Sequence, residues 1–267
     1  MRKLNFNKGS LLARGFLGTW RKKYREYVNH CLTSGFIPTT CRPLQLFARF
    51  AARIWLYLQV GRVRVIGTDN LKTPGRVIFT PNHSSMFDAI LIYAVMKRWP
   101  RYMTAYEEMR GLWGLKAIAM GAFGCFAVDR AHGKTVLEPA IKVLMSGQPM
   151  VIFPEGKISP TGEYLPFKRG AAVIANSAYE RLGMKEHVAI VPIHICYRKR
   201  DAATAGGPYA DMGFKWRGGA TVTVGKPIYM HELPSRKPED VMAVVSGAIK
   251  LQACATTPGD KPDALSA

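Results

Sequence analysis

Residues Pro81–Asp88 read Pro-Asn-His-Ser-Ser-Met-Phe-Asp and join two apolar segments. The segment before them, 77–80, is typical of a buried strand, and the segment after them, 89–96, is typical of a helix. In one continuous helix, His83 and Asp88 would lie about 140° apart around the axis. They can therefore meet only if His83 lies in the turn and Asp88 lies in the first turn of the helix.

A histidine and a carboxylate brought together in such a turn are suited to general-base catalysis. A neutral imidazole accepts a proton from an attacking hydroxyl at neutral pH. A carboxylate on the other ring nitrogen fixes the tautomer and stabilises the imidazolium that forms. A structural alternative uses the same stretch, because Ser85 and Asp88 also fit a capping box. His83 would then be an ordinary loop residue.

Four short motifs resemble those of the glycerolipid acyltransferase family, which includes the lysophosphatidic acid acyltransferases. Asn82-His83 with Asp88 resembles the first motif, and the other three follow in the family's order. They are Gly-Cys-Phe-Ala-Val-Asp-Arg at 124–130, Phe-Pro-Glu-Gly at 153–156 and Val-Pro-Ile at 191–193. The resemblance as a whole covers about residues 66–227. The resemblance implies an α/β fold like that of glycerol-3-phosphate acyltransferase, with a single mixed sheet flanked by helices.

The same resemblance implies a reaction. A fatty acyl group would move from the thioester of acyl-CoA or acyl carrier protein to a hydroxyl of a lysophospholipid. The first candidate acceptor is 1-acyl-glycerol-3-phosphate. His83 would be the general base and Asp88 its support, with direct attack by the acceptor and no acyl-enzyme. No cofactor and no metal are expected, since the histidines and cysteines show no metal-ligand spacing.

Several residues are candidates for substrate binding on the same grounds. Arg130 would contact the acceptor's phosphate, or form a surface ion pair. Glu155 would contact the acceptor or shape the site, or accept backbone amides in its tight turn. The remaining candidates flank these motifs: Asn82, Gly156, Lys157, Lys168 and Arg169.

Residues 157–159 depart from the family's pattern. They read Lys-Ile-Ser, where many members have Thr-Arg-Ser with the arginine tied to phosphate recognition. Ile158 cannot bind an anion. Lys168 and Arg169 lead into a helix and could supply cations and helix N-terminal amides instead, or they could lie on a solvated face. An acceptor that lacks the usual phosphate contact is therefore the alternative substrate.

Apolar segments near the motifs have two interpretations. Residues 191–193 and 112–126 could line an acyl channel, as the resemblance implies for the first, or belong to a packed core. His194 lies in the apolar strand 188–195, which favours a core histidine over a ligand.

The chain is strongly basic, with a formal net charge of +20. This charge predicts an anionic partner, such as a membrane surface, acyl carrier protein or nucleic acid. No helix-turn-helix, zinc-finger or RNP-like motif is visible, so no nucleic acid is expected. A non-catalytic lipid-binding or nucleic-acid-binding protein of the same fold, or a merely solvated basic surface, are the other interpretations.

Residues 1–61 differ from the remainder and are interpreted as a basic amphipathic helical hairpin. Helices are expected at about 10–32 and 43–60, and the second carries an apolar, aromatic face with Arg49 and Arg53 on another face. Such a helix suits a membrane interface or packing on its own domain. The catalytic domain is expected at 62–255, and a disordered tail at 256–267.

The five cysteines form no CxxC pair, which favours reduced thiols. No signal peptide and no uncharged apolar stretch of about 20 residues is evident. The expected location is the cytoplasm, peripheral on the inner face of the membrane.

Overall fold

The computed structural model describes residues 22–33, 36–85, 87–128, 137–159, 163–197 and 218–255. The helices of these ranges are α1 (22–32), α2 (Arg42–Gln59), α3 (Asp88–Val95), α4 (Tyr106–Met109), α5 (Leu115–Phe123), α6 (Glu138–Met145), α7 (Gly170–Arg181) and α8 (Pro238–Ala255). The strands are β1 (Val63–Ile66), β2 (Arg76–Pro81), β3 (Arg101–Ala105), β4 (Cys125–Val128), β5 (Met150–Val151), β6 (Val188–Tyr197), β7 (Ala220–Val224) and β8 (Ile228–Tyr229).

The described strands form one mixed sheet in the order β1-β7-β6-β2-β5-β3-β4, with β8 also paired to β6. Strands β6, β2, β5, β3 and β4 run parallel to one another. Strand β7 is parallel to β1 but antiparallel to β6, and β8 is antiparallel to β6. The α/β fold with a single mixed sheet is therefore confirmed.

Helices cover both faces of this sheet. Helices α6, α7 and α8 share one apolar core with inward-facing residues such as Ile78 and Ile190. Helices α2 and α3 share a second core with Val77, Phe79 and Val191. Because successive residues of a strand point to opposite faces, β2 and β6 contribute to both cores and read as continuous apolar runs.

Pro192 interrupts β6 without breaking the sheet. Residues 189 and 190 of β6 pair with β8, whereas residues 193–197 pair with β7. Pro192 lies between these two pairings, and its carbonyl accepts the N–H of Gly225 in the connection from β7 to β8 at 2.8 Å. The missing N–H therefore falls where β6 changes partner, as expected for a proline inside a sheet.

The carboxyl ends of the parallel strands meet at one edge of the sheet. The turn after β2 contains His83, and the turn after β5 contains Glu155. Thr80 of β2 pairs with Pro192 of β6 and Phe79 with Val151 of β5, which brings these turns beside the carboxyl half of β6. Open α/β sheets bind ligands at this edge.

Helix α2 packs on the domain on the side that carries its arginines. Arg53 donates to the carbonyl of Ala94 at 3.1 Å, and Arg49 donates to the carbonyl of Arg98 at 3.3 Å. The Arg49 guanidinium also lies 3.6 Å from the ring centroid of Trp99. Ala94 lies in the last turn of α3, where backbone carbonyls lack helical partners, and the guanidinium of Arg53 satisfies its carbonyl.

The opposite side of α2 is an exposed apolar stripe at helical spacing. Its residues are Leu46, Phe47, Phe50, Ile54, Tyr57 and Leu58. Nothing in the described ranges covers this stripe, and no helix there combines the length and hydropathy needed to cross a bilayer. Of the expected first helix, 22–32 is helical and 10–21 lies outside the described residues, as does the expected tail 256–267.

Candidate active site

His83 and Asp88 meet in the geometry that their spacing allows. Nδ1 of His83 lies 3.0 Å from Oδ2 of Asp88, with His83 in the turn and Asp88 at the first position of α3. The Asp88 carboxylate has no exposed surface, whereas the His83 side chain is 17% exposed. A carboxylate can only accept a hydrogen bond, so in the neutral imidazole Nδ1 carries the proton and Nε2 carries the lone pair.

Asp88 also closes the turn, and it makes one bond of the predicted capping box, the one that runs back to the N–H of Ser85. Oδ2 accepts the backbone N–H groups of Ser84 and Ser85, each at 2.7 Å. The Ser85 hydroxyl accepts the N–H of Phe87 at 3.3 Å. The carboxylate oxygen that closes the turn before α3 is therefore the same oxygen that faces the imidazole.

The backbone of His83 is held from both sides. Its N–H donates to Oε1 of Glu155 at 2.7 Å, and its carbonyl accepts the N–H of Ser159 at 2.8 Å. The Phe153 ring stacks on the imidazole, with centroids 4.1 Å apart and planes 25° apart. Nε2 has no hydrogen-bond partner among the described residues. The imidazole is thus fixed in position, with Nε2 unbonded within the described part of the chain.

Glu155 is a buried carboxylate with 3% exposure, and it binds two loops. Its second oxygen, Oε2, accepts the N–H of Leu165 at 2.9 Å. Burial raises the pKa of Glu155, and the N–H groups of Leu165 and His83 partly offset that rise. These contacts give Glu155 a positioning role. A direct contact with the acceptor stays a prediction.

Asn82 has a similar positioning role. Its side-chain oxygen accepts the N–H of Ile195 at 2.6 Å, and its amide donates to the carbonyl of the same residue at 3.1 Å. The side chain is 5% exposed. These bonds extend the pairing of β2 with β6 by one residue. A direct substrate contact of Asn82 stays a prediction.

The predicted cations differ in what they contact. Lys168 lies over the turn after β5. Its Nζ is 2.7 Å from the point that a Cβ would occupy at Gly156. Lys157 is exposed beside Gly156. Arg169 instead forms an ion pair with Glu239 of α8. Arg130 lies outside the described residues. Lys157 and Lys168 are therefore the described cations at the motif turns.

Of the two apolar segments, 191–193 belongs to the core, whereas 112–126 is only partly buried and exposes Leu112, Trp113 and Leu115. Val191 and Ile193 are fully buried in the core shared with α3. His194 is buried, and its Nδ1 lies 2.9 Å from the hydroxyl of Tyr164. Burial lowers the pKa of His194 to about 4, so it is neutral at physiological pH. His194 is a core histidine, as predicted.

Tyr197 is a site residue that the sequence analysis missed. It ends β6, and its hydroxyl donates to Oδ1 of Asp88 at 2.7 Å. In the sequence it closes an apolar strand 109 positions from Asp88, and no motif marks it. Only the alternation along β6, which places Ile193, Ile195 and Tyr197 on one face, hints at it.

The described ranges contain no candidate metal site. No set of three or more His, Cys, Asp and Glu side chains is close enough there to hold an ion.

Comparisons with known proteins agree on the family. A model of the family described as Acyltransferase matches residues 62–196, just over half of the chain. The lyso-ornithine lipid O-acyltransferase of Brucella abortus is 31% identical over 163 residues, which are 57% of this chain and 54% of that protein. The chloroplastic 1-acyl-sn-glycerol-3-phosphate acyltransferase BAT2 of Brassica napus is 25% identical over 192 residues, 68% of this chain and 51% of that protein. The chain thus spans about half the length of these curated relatives.

A solved structure shares the fold. The crystal structure of the 1-acyl-sn-glycerophosphate (LPA) acyltransferase PlsC from Thermotoga maritima matches with a TM-score of 0.60 and 23% identity, covering 95% of this chain and 90% of that one. The family match spans β1 to β6 and includes the turns that hold His83, Asp88 and Glu155. By its sequence and its fold, the chain belongs to the family to which its four motifs point, the glycerolipid acyltransferases.

Proposed function

We propose that the protein transfers a fatty acyl group from a thioester to a free hydroxyl of a lysolipid. One observation carries this proposal. The imidazole of His83 lies at the carboxyl edge of the sheet, is fixed by Asp88 on Nδ1, and has no hydrogen bond to Nε2 from the residues that the structure describes. Family membership and the names of the relatives supply the substrate class.

In the proposed reaction, Nε2 of His83 takes the proton of the acceptor hydroxyl as its oxygen attacks the thioester carbonyl. Asp88 stabilises the imidazolium through Nδ1. When the tetrahedral intermediate collapses, the carbon–sulfur bond breaks and the imidazolium returns the proton to the thiolate. The products are an ester and a free thiol, and the enzyme is unchanged.

Direct attack needs no nucleophile from the protein, and the surroundings of Ser85, Cys125 and Cys31 support it. The Ser85 hydroxyl is used in the turn that begins α3. Burial raises the pKa of the Cys125 thiol to about 11, and burial also raises that of Cys31. Because the thiolate is the nucleophile, both thiols are poorly reactive at neutral pH.

The first candidate acceptor is 1-acyl-glycerol-3-phosphate. Lys157 and Lys168 beside Gly156 are cations that can contact its phosphate. The donor is acyl-CoA or acyl carrier protein, both of which are negatively charged and suit a chain of net charge +20.

A specific observation favours a second candidate, a lysolipid without the usual phosphate contact. Ile158 stands where many family members have an arginine, and Arg169 is paired with Glu239. The relative from Brucella abortus is named for acylation of a lyso-ornithine lipid.

The acceptor resides in a membrane, so the protein must reach one. We place the contact at the inner face of the cytoplasmic membrane, through the basic hairpin 1–61 that precedes the catalytic domain 62–255. The exposed stripe of α2 would enter the interface, and the exposed Lys22, Lys23 and Arg25 of α1 would meet anionic lipid.

Trp113 is 93% exposed between the exposed Leu112 and Leu115, and an exposed tryptophan of this kind suits the interfacial layer.

A panel of acceptors tests the proposal. Purified protein is incubated with palmitoyl-CoA or palmitoyl-acyl carrier protein and with lysophosphatidic acid, lysophospholipids with larger head groups or lyso-ornithine lipid. We expect acylation of at least one acceptor, and a loss of about 1,000-fold or more in a His83→Ala variant. Wild-type rates in His83→Ala, or no product with any acceptor, would contradict it. An acyl adduct on Ser84, Ser85 or a cysteine, sought by mass spectrometry of the quenched enzyme, would contradict direct attack.

A further inference from the structure

Tyr197 completes the hydrogen bonds of the buried Asp88 carboxylate. Oδ2 of Asp88 accepts three N–H groups, from Ser84, Ser85 and the imidazole of His83. Oδ1 faces the other way and accepts the hydroxyl of Tyr197 at 2.7 Å. Asp88 has no exposed surface, so water does not replace this donor.

The Tyr197 hydroxyl is a permanent donor. Burial, reinforced by the neighbouring charge of Asp88, raises the pKa of Tyr197 well above its ordinary value. Ser85 also hydrogen-bonds the Tyr197 hydroxyl, which holds its orientation. The phenol therefore stays protonated at any pH at which the enzyme could work, and it does not compete with His83 as a base.

We propose that Tyr197 is a positioning residue of the dyad. Its hydroxyl holds the Asp88 carboxylate in the orientation that faces His83, and it lowers the basicity of the His83 imidazole. Two consequences follow from one bond. The bond fixes the side chain of Asp88, so that Oδ2 stays on Nδ1. It also draws negative charge away from the carboxylate, which weakens the attraction of Asp88 for a protonated His83.

The sign of the effect follows from these contacts. Without the phenol the carboxylate keeps more of its charge, and the imidazolium of His83 is stabilised. The pKa of His83 should therefore rise when the hydroxyl is removed. Among the ionisable groups that the structure describes at these turns, Glu155 is bonded to the backbone N–H of His83, and Lys157 and Lys168 lie beside Gly156; none of them changes in such a variant.

The test is Tyr197→Phe, which deletes one hydroxyl and keeps the ring. Tyr93→Phe is the matched control, because Tyr93 also donates from the core, to the carbonyl of Gln45 at 3.1 Å, and its hydroxyl has no contact with the dyad. The first readout is the pKa of the His83 imidazole, measured by NMR titration of the full chain without substrate. We expect it to rise by about half a unit to one unit in Tyr197→Phe and to stay at the wild-type value in Tyr93→Phe.

The second readout is kinetic and rests on the proposed function. The acidic limb of the pH dependence of kcat/KM should move upward with the NMR value, and kcat should fall about tenfold with KM for the acyl donor unchanged. An unchanged or lowered imidazole pKa in Tyr197→Phe, or an equal rise in Tyr93→Phe, would overturn the inference. If the wild type acylates none of the lysolipids, the proposed function fails by itself, and the NMR titration still decides the role of Tyr197.

Discussion

Oε1 of Glu155 accepts a hydrogen bond from the backbone N–H of His83 at 2.7 Å. This bond links the turn after β2 to the turn after β5, which are neighbours only because those strands pair in parallel. The catalytic candidate is therefore held by a residue of a different motif. The first and third motifs of the family meet at one hydrogen bond, and their joint presence in the sequence has a structural reason.

We expect Glu155→Gln to lower kcat by about 100-fold, since displacement of a base by about 1 Å can cost that much. The N–H groups of His83 and Leu165 bind different oxygens of Glu155, so a glutamine would turn its NH2 group, a donor, towards one of them. The matched control is Glu186→Gln, which removes a carboxylate that binds Arg76 at the other end of β2. Initial rates at saturating donor are the measurement. Wild-type kcat in Glu155→Gln, with the fold verified by circular dichroism, would contradict the positioning role.

The Asp88→Asn variant should separate the charge of the carboxylate from its structural role. The asparagine oxygen can still accept the N–H groups of Ser84 and Ser85, and its NH2 group can donate to the oxygen of Tyr197. The fold should therefore persist while the imidazolium loses its counter-charge. We expect a fall in kcat of about 1,000-fold.

The pH dependence checks the same variant. Loss of the negative charge should lower the pKa of His83 and move the acidic limb of kcat/KM to lower pH. Asp69→Asn, which removes an exposed carboxylate paired with Lys72, is the control and should be neutral. An Asp88→Asn enzyme with full activity would show that the dyad is not the source of catalysis.

Sequence reasoning reached His83 and Asp88 because strand, turn and helix are local features. Apolar periodicity located β2 and α3, and the spacing of five residues then determined where the pair could meet. The roles of Tyr197 and Asn82 could not be found in this way, because their contacts join distant parts of the chain. Tyr197 contacts Asp88 across 109 positions, and Asn82 contacts Ile195 across 113. Both contacts exist only because β2 pairs with β6, and no local pattern in the chain predicts that pairing.

The arginines of α2 illustrate a second limit. Helical periodicity correctly separated Arg49 and Arg53 from the apolar stripe. It could not tell which side faces the domain, because the stripe and the arginine side can both be buried favourably. The structure places Arg53 against the carbonyl of Ala94 at the end of α3 and Arg49 against the carbonyl of Arg98 just beyond it, and it leaves the stripe exposed. The two-residue strand β8 was missed since so short a segment has no periodicity.

His194 should make the fold sensitive to acid. Its pKa is about 4 in the folded protein and about 6.5 in an unfolded chain, so the unfolded state binds more protons between these values. The stability contributed by neutral His194 is complete above pH 6.5 and is lost as the pH falls towards 4. The contribution is roughly 3 kcal/mol.

The check is urea unfolding of the wild type and of His194→Asn at pH 7 and pH 4.5. An asparagine oxygen near the position of Nδ1 can accept the Tyr164 hydroxyl and does not titrate. The difference in unfolding free energy between the two pH values should be smaller in the variant. Equal differences in the two proteins would mean that His194 is not buried as a neutral base.

The exposed stripe of α2 should dominate membrane binding among the described residues. Phe47 and Phe50 are 68% and 64% exposed, and burying an aromatic side chain contributes about 1.5–3 kcal/mol. A Phe47→Ser/Phe50→Ser double variant should therefore bind vesicles containing phosphatidylglycerol at least tenfold more weakly in sedimentation assays. Val244→Ser on α8 is the control, because Val244 is a surface-exposed apolar residue of a different helix. Unchanged sedimentation of the double variant would place the membrane contact elsewhere, with Trp113→Ser as the next variant to compare.

Ile158 offers a test of acceptor choice. It lies half-buried between the exposed Lys157 and the buried Ser159, whose N–H binds the carbonyl of His83. An arginine at this position would add a guanidinium within the turn that holds the base, and a guanidinium forms paired hydrogen bonds with phosphate. If the second candidate acceptor is correct, the Ile158→Arg variant should raise kcat/KM for lysophosphatidic acid relative to a phosphate-free lysolipid by about tenfold, equivalent to about 1.4 kcal/mol. The control is Ile158→Leu, which keeps an apolar side chain and should leave the ratio unchanged. A wild type that already prefers lysophosphatidic acid, with no gain in Ile158→Arg, would assign phosphate recognition to other cations such as Lys157 and Lys168.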